Sequence, residues 1–382
     1  MGRTARVLQV AATYMGTVVG AGFASGQEAL RFFASFGRAG LWGIAVTTVL
    51  LCAFGALVMD LGRRLGARSH RELLHHVLGP RLGAAADTVV SAFLFAALAV
   101  MLAASGAIAA EQLRLPAWVG AGLGAALTLA TIWSGLTGLL TANGVVVPLL
   151  VASVLGLTGA TIYRASLGGP LAPGAGAPAL AAAPDWFTSA WVYAGYNIVL
   201  ALAVLAPLGA EIPDRAVLVA GGVLGGLGLG VLGVGLHLAI SAHLPEAANW
   251  EVPMLYLARL YRPPVPSLYT AVLWAEVYTT AVSSAFGLAR RLAPHVPVHV
   301  PAPARRGGLP GGGARSPGAA GGPEPDAPRF ADPAYRTAAL ATVALALALS
   351  PFGFARLVAT LYPLFGYASV AILLVLLLRT WS

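Results

Sequence analysis

The chain has 382 residues, of which 58% are hydrophobic and only 10% charged, and its mean hydropathy is +0.81. Apolar stretches of about 17 to 25 residues, the length that crosses a bilayer as a helix, recur along nearly the whole sequence. This pattern excludes an ordinary soluble domain, and the net charge of +9 comes from arginines that fall mostly between the apolar stretches, which argues against a nucleic-acid partner.

The hydropathy pattern predicts an all-α polytopic membrane protein with ten spans. In chain order they cover 7–36, 41–62, 84–110, 117–134, 144–163, 185–209, 216–242, 266–288, 337–350 and 355–379. The stretch 292–335, between the eighth and ninth spans, is rich in Pro and Gly and has no apolar periodicity. We therefore expect it to be a disordered cytoplasmic linker.

The first span is interrupted where a membrane helix is normally most apolar. Each glycine in this interruption costs a helix roughly 1 kcal/mol relative to alanine. Ser25 and Glu28 have the spacing of a capping box, so a second helix is predicted to start near Gly26. Irregular backbone at this depth survives only where it lines a cavity. The predicted substrate-binding residues of this segment are Gly20, Ala21, Gly22, Phe23, Ser25, Gly26, Gln27 and Glu28.

The sixth span carries a similar fragment, Ala194-Gly195-Tyr196-Asn197, and is predicted to be broken there. Broken helices at corresponding positions of two halves are typical of transporters built from inverted repeats, with a binding site at the midplane. The sequence thus predicts two five-helix repeats, 1–163 and 185–382. Gly195, Tyr196 and Asn197 join the predicted substrate site.

The eighth span has a polar face formed by Glu276, Thr280, Ser283 or Ser284, and Gly287, which are spaced by about four residues. Such a face fits either a cation site or tight packing of hydroxyls that bond back to their own helix. A charge at the bilayer centre costs at least ~2.5–3.5 kcal/mol. Glu276 is therefore expected to be protonated, paired (Arg31 is one candidate partner) or in contact with a wet cavity.

The arginines also predict the orientation of the chain. With the N-terminus in the cytoplasm, ten spans return the C-terminus there, and sixteen of the 23 arginines then lie on the cytoplasmic side. This agrees with the positive-inside rule and predicts a multi-pass protein of the cytoplasmic membrane. No metalloprotease helix, nucleophile elbow, phosphate-binding loop or cysteine–histidine metal motif is present, so no enzyme activity is expected.

The run from Gly16 to Glu28, Gly-Thr-Val-Val-Gly-Ala-Gly-Phe-Ala-Ser-Gly-Gln-Glu, closely resembles the opening helix of the YkvI-type bacterial membrane proteins. That family is similar to the amino acid–polyamine–organocation transporters, so the resemblance implies a leucine-transporter-like fold. It also implies a sodium site, whose ligands would be the carbonyls of Gly16, Val19 and Thr280 and the side chains of Ser283 and Ser284. The family pattern does not require the acids Glu28 and Glu276. Their presence leaves two alternatives open, which are proton coupling with Glu276 as the proton carrier, and a cationic substrate.

The expected function is secondary active transport by alternating access. The solute would be a small amino acid or a related amine, moved in symport with Na⁺ or H⁺ and without any other cofactor. The half-helix beginning near Gly26 would favour a substrate carboxylate, although Glu28 beside it would oppose one. The alternative is a non-transporting membrane protein of the same fold that acts as a sensor or an assembly subunit.

Overall fold

The computed structural model describes residues 2–67, 69–134, 139–167, 176–296 and 332–381, with the backbone alone at 139–144 and 380–381. These residues form α-helices, five short 3₁₀ turns and connecting loops. The α-helices are α1 Arg3–Val18, α2 Ala21–Ser25, α3 Gln27–Phe32, α4 Ala39–Leu65, α5 His70–Leu113, α6 Ala117–Ser134, α7 Leu139–Leu167, α8 Trp186–Glu211, α9 Arg215–Ser241, α10 Pro253–Arg259, α11 Val265–Leu292, α12 Pro333–Leu349 and α13 Phe354–Trp381.

Eight of these helices are long and apolar enough to cross a membrane. The other two predicted spans coincide with the consecutive helices α1, α2 and α3, and with α11, whose polar residues lower its hydropathy. The prediction of an all-α polytopic membrane protein is confirmed. The division into repeats 1–163 and 185–382 stays a prediction.

The first span is broken twice, as its glycines indicate. α1 ends at Val18, and Val19 and Gly20 are extended, so the Gly20 N–H donates to the Val18 carbonyl at 3.0 Å instead of continuing the helix. α2 then runs for five residues and ends at Gly26, whose φ of +83° favours glycine over any residue with a Cβ. The two breaks isolate α2 as a short buried segment between α1 and α3.

The predicted break in the sixth span is wrong, because α8 is helical throughout 194–197. Gly195 lies against α13, where a Cβ would come within 3.2 Å of the Val370 backbone nitrogen and 3.3 Å of the Gly366 carbonyl oxygen. Small residues of this kind let membrane helices approach closely without breaking either one. The Asn197 amide donates to the Tyr193 carbonyl one turn earlier, at 3.0 Å, so it also leaves the helix intact.

α4 packs between α8 and α9, and glycines make both contacts close. On the α8 side, Gly62 lies against the Ala206 backbone and Gly209 against the Met59 backbone. On the α9 side the contacts are Gly222 with Ala56 and Gly226 with Cys52. These backbone-to-backbone contacts fix α8, which carries part of the candidate site, against the centre of the protein.

The termini and several charged residues lie at one end of the helices. Asp60 is bonded by Arg63 and Arg64 at 2.8 and 2.7 Å, and Arg291 of α11 pairs with Asp87 of α5 at 2.9 Å. α5 starts at His70 and bends at Gly79, so its first part is a short separate helix. Most of the predicted linker, 297–331, lies outside the described residues, while α12 begins at Pro333, inside the predicted linker range.

Candidate functional site

A buried carboxylate and three buried tyrosines meet beside the break in the first span. Glu28 of α3 is 5% exposed, and the rings of Tyr193 and Tyr196 of α8 and of Tyr362 of α13 surround its carboxylate. The ring centroids of Tyr196 lie 5.4 Å from Tyr193 and 5.2 Å from Tyr362. We call these four residues the Glu28 cluster.

Phenylalanines extend the aromatic surface around the Glu28 cluster. Phe32 of α3 contacts Tyr193 and Tyr196, with ring centroids 5.3 and 5.7 Å apart. Phe93 of α5 contacts Tyr196 and Tyr362 at 5.8 and 5.6 Å. Four helices from distant parts of the chain, α3, α5, α8 and α13, therefore supply the walls of one site.

Several polar atoms of the Glu28 cluster are buried without a partner. Glu28 Oε2 and the hydroxyls of Tyr193 and Tyr196 form no hydrogen bond with any described residue. Both hydroxyls face the carboxylate without completing a hydrogen bond to it. An unpaired buried polar group costs ~1–3 kcal/mol, and a charged group costs more. Such a group in a native structure requires an explanation, and a bound ligand, ion or water would supply the missing partner here.

Gly22 of α2 makes room for the Glu28 carboxylate. A Cβ at residue 22 would overlap Glu28 Oε1, and it would lie 3.1 Å from the Glu28 carboxyl carbon and 3.3 Å from the Tyr362 ring. Only glycine fits at this position, because the Glu28 side chain approaches the backbone of residue 22 too closely for any Cβ.

The capping box predicted for Ser25 and Glu28 is wrong. Ser25 is the last residue of α2, and its hydroxyl donates to the Gly22 carbonyl at 2.7 Å and accepts from the Gln27 N–H at 3.2 Å. Gly26, in its left-handed conformation, takes the cap position of α3 and leaves the Glu28 side chain to turn into the protein. Glu28 therefore serves the buried cluster and does not cap a helix.

Arg31 pairs with neither buried acid in the described structure, contrary to the partnership considered for Glu276. Its guanidinium donates to Gln27 Oε1 at 3.1 Å and to the Leu180 carbonyl at 3.3 Å. The Gln27 amide in turn donates to the carbonyls of Trp250 and Glu251 at 3.1 and 2.9 Å. These contacts, which we call the Gln27 latch, cover the first span on the side away from the termini.

Glu251 extends the Gln27 latch to two further helices. Its backbone N–H donates to Glu111 Oε1 of α5 at 2.7 Å, and its carboxylate accepts from the Ala355 N–H at the start of α13 at 2.6 Å. The loop before α10 thereby joins α3, α5 and α13. Gln27 belongs to this closure and not to the Glu28 cluster.

We expect the Gln27→Leu variant to open this side of the protein. The substitution removes two hydrogen bonds to the loop, each contributing about 1 kcal/mol, which amounts to roughly a 30-fold shift in the opening equilibrium. The measurement is the rate at which a membrane-impermeant maleimide labels Ser25→Cys in a Cys52→Ser background. Labelling from the side away from the termini should accelerate, whereas an unchanged rate would show that the latch does not hold this side closed.

The polar face of α11 is only partly confirmed. Thr280 donates to Glu276 Oε1 at 3.4 Å, as their spacing predicts, and Glu276 Oε2 has no partner among the described residues. Ser284 is 5% exposed, whereas Ser283 is exposed on another side of the helix. The two serines therefore do not present their hydroxyls to the same surroundings.

Two of the carbonyls predicted to bind sodium, those of Gly16 and Val19, lie at the first break. Because the Gly20 N–H bonds to Val18, the Gly16 carbonyl lacks the donor that a continuous helix would supply. α11 reaches this region through Tyr269, whose hydroxyl donates to the Ala24 carbonyl of α2 at 2.6 Å. The predicted ligand set of Gly16, Val19, Thr280, Ser283 and Ser284 stays a prediction.

The sequence prediction and the Glu28 cluster share Glu28 and Tyr196, and the predicted Gly22 lies directly against Glu28 and Tyr362. Gly20, Ala21 and Phe23 are in or beside α2, while Gly26 packs under α10 against Met254. The sequence analysis missed Tyr193, Tyr362 and Phe93. Tyr193 could have been found, because it precedes the predicted Tyr196 by three residues and shares its helix face.

Comparisons with solved structures identify the fold. The structure of MhsT in complex with L-phenylalanine aligns with a TM-score of 0.59 over 96% of this chain and 87% of that one, at 16% identity. The inward-facing conformation of Mhp1 aligns with a TM-score of 0.58 over 95% and 73% of the two chains, at 13% identity. At these identities the likeness shows the fold alone, which is the leucine-transporter type.

Sequence comparison adds two relatives, and no family model matches the chain. The protein YyaD of Bacillus subtilis (strain 168) is 25% identical over 95% of this chain and 94% of its own length. The membrane protein YkvI of the same strain is 30% identical over 372 residues, which are 97% of this chain and 95% of that protein. The relationship expected from the opening helix is confirmed, and the chain belongs to the YkvI family of membrane proteins.

Proposed function

We propose that this protein is a secondary active transporter. It carries a small amino acid or a related amine across the cytoplasmic membrane by alternating access, in symport with Na⁺ or H⁺. The observation that carries the proposal is the double break in the first span, which brings the buried Glu28 cluster beside irregular backbone. Such backbone within a bilayer is tolerated where it lines a cavity or binding site.

Two further observations support the proposal. The fold is shared with Mhp1, which is described as a nucleobase-cation-symport-1 family transporter, and with MhsT, which was solved with L-phenylalanine bound. The Gln27 latch closes one side of the break by a few hydrogen bonds instead of a large apolar interface. A closure of this strength can open on binding or release of a solute.

The direct test is uptake by purified protein in proteoliposomes. A panel of radiolabelled amino acids and amines is offered under an inward Na⁺ gradient, an inward H⁺ gradient, or neither. We expect gradient-dependent accumulation of at least one solute, which empty liposomes do not show. Failure to accumulate or exchange any solute under every condition would favour the sensor or assembly-subunit alternative.

The ion that drives transport is proposed to be sodium, bound by the Gly16, Val19 and Thr280 carbonyls together with Ser284; Ser283, predicted as a further ligand, is left out because it is exposed on another side of α11. The Gly16 carbonyl is released from its helical donor, and Ser284 is buried on α11. Oxygen ligands of this kind are those that hard cations prefer. Glu276, buried and only partly hydrogen-bonded, is the competing candidate and would carry a proton.

We expect Ser284→Ala to raise the sodium concentration that gives half-maximal uptake by about tenfold, the cost of one lost ligand to a charged group. Ser283→Ala is the matched variant and should have a smaller effect, because Ser283 is exposed. If Ser284→Ala has no effect while Glu276→Gln loses gradient-driven uptake but keeps solute exchange, the coupling ion is a proton.

A further inference from the structure

The Glu28 carboxylate is buried without a cation beside it. Among the described residues, no arginine or histidine forms an ion pair with Glu28. Its surroundings are tyrosine hydroxyls and aromatic rings. Because burying an uncompensated charge is costly, the carboxylate must take up a positive partner or a proton when the site is occupied.

The hydroxyls of the Glu28 cluster favour a partner with several hydrogen-bond donors. Each phenol hydroxyl donates one proton and accepts through its oxygen, so a proton on Glu28 would neutralise the charge but could serve only one of the two phenol oxygens as an acceptor. An ammonium group has three donors, which match the Glu28 carboxylate and the oxygens of Tyr193 and Tyr196 in number. The pattern of unpaired atoms is therefore complementary to an amine.

The aromatic rings point to an organic cation in preference to a bare metal ion. Three tyrosine rings surround the carboxylate, and Phe32 and Phe93 lie directly behind them. Ring faces attract ammonium groups through cation–π interactions, whereas hard metal ions select oxygen ligands. Since the rings of Tyr196 and Tyr362 are 5.2 Å apart, they have to separate when the cation enters.

Among the residues that the structure describes, no positively charged side chain pairs with the Glu28 cluster or is left to bind a substrate carboxylate there. Arg31, which is three residues away, is bonded to Gln27 and Leu180 in the Gln27 latch. Glu28 itself occupies the first turn of α3 and would repel an anion there. We infer that the Glu28 cluster binds the ammonium group of an organic amine that lacks a carboxylate. This inference rests on the transport function proposed above and specifies the substrate class of the transporter.

The test compares two amines with related molecules that carry a different charge. Thermal stabilisation of the purified protein is measured with putrescine and phenethylamine as probes, with N-acetylphenethylamine as the uncharged match and L-phenylalanine as the zwitterionic match. A ligand that binds only the folded protein raises its melting temperature with concentration. We expect at least one of the two amines to stabilise the wild-type protein, and neither the N-acetyl compound nor L-phenylalanine to do so.

Variants then assign the effect to the cluster. Glu28→Gln should weaken amine binding on the order of 100-fold, because it removes the charged partner of a buried ion pair. It should not lower the melting temperature without ligand, since a buried unpaired charge is removed. Tyr196→Phe should weaken binding less, and Tyr335→Phe, which alters a buried hydroxyl between α12 and α6, should leave it unchanged.

Three results would overturn the inference. These are stabilisation by L-phenylalanine equal to that by phenethylamine, wild-type affinity in Glu28→Gln, or stabilisation by neither amine. Uptake of a neutral or zwitterionic solute in proteoliposomes would overturn the amine assignment while leaving the transport function intact. Amine binding without uptake of any solute would support the cluster assignment and contradict transport.

Discussion

The Gly22→Ala variant is expected to lose solute uptake by at least about tenfold while retaining its fold. The added methyl group would overlap Glu28 Oε1 and lie 3.3 Å from the Tyr362 ring. The carboxylate is buried beside Tyr193 and Tyr196, so its displacement would also disturb these rings. Overpacking of this kind typically costs about 1–3 kcal/mol. Here we expect it to displace the Glu28 carboxylate and the Tyr362 ring from their positions in the site, and not to unfold the protein.

The measurement is the initial rate of uptake of the solute that the wild-type protein accumulates, together with the melting temperature of the purified variant. Gly159→Ala on α7 is the matched control, because no atom lies within 4 Å of the added Cβ. Wild-type uptake by Gly22→Ala would show that the position of the Glu28 carboxylate does not matter for transport.

The Gly209→Ala variant is expected to be destabilised by about 2–3 kcal/mol, because the added methyl group overpacks the contact with a neighbour that cannot move. A Cβ at residue 209 would overlap the Met59 carbonyl oxygen and lie 3.0 Å from the Met59 Cα, both in the backbone of α4. Unlike a flexible side chain, this backbone cannot move aside, since the other face of α4 is held by α9 at Gly222 and Gly226. α4 and α8 must therefore separate.

Thermal denaturation in detergent checks this expectation. Gly122→Ala on α6 is the control, because its Cβ would meet no atom within 4 Å and the helix gains up to ~1 kcal/mol from the loss of a glycine. The melting temperature should fall in Gly209→Ala and hold or rise in Gly122→Ala. Equal melting temperatures in the two variants would contradict the close packing of α4 against α8.

The broken first span could be predicted from the sequence because its signal is local. Gly20, Gly22 and Gly26 lower helix propensity within seven residues, in a segment that also holds a buried acid. The capping pattern of Ser25 and Glu28 misled the prediction, because the same spacing occurs when a left-handed glycine ends one helix and the acid turns inward. Local spacing cannot distinguish these two outcomes.

The sixth span shows where local reasoning fails. Gly195 weakens a helix as much as Gly22 does, but α13 lies against it and helix packing compensates for the loss. Tyr362 could not be assigned to the site for the same reason, since its place beside Glu28 depends on how α13 packs against α8. Such contacts between distant spans are decided by tertiary structure and leave no mark in a single sequence.

Alternating access to the broken first span is tested most directly by labelling Ser25→Cys in a Cys52→Ser background from each side of oriented membranes. Ser25 is 2% exposed in the closed structure and lies between the Gln27 latch and the Glu28 cluster. A transporter of this kind should expose the residue to a membrane-impermeant maleimide from either side, with the favoured side changing when the transported solute is added. Labelling that is absent from both sides, or confined to one side under every solute and ion gradient, would contradict transport through this site.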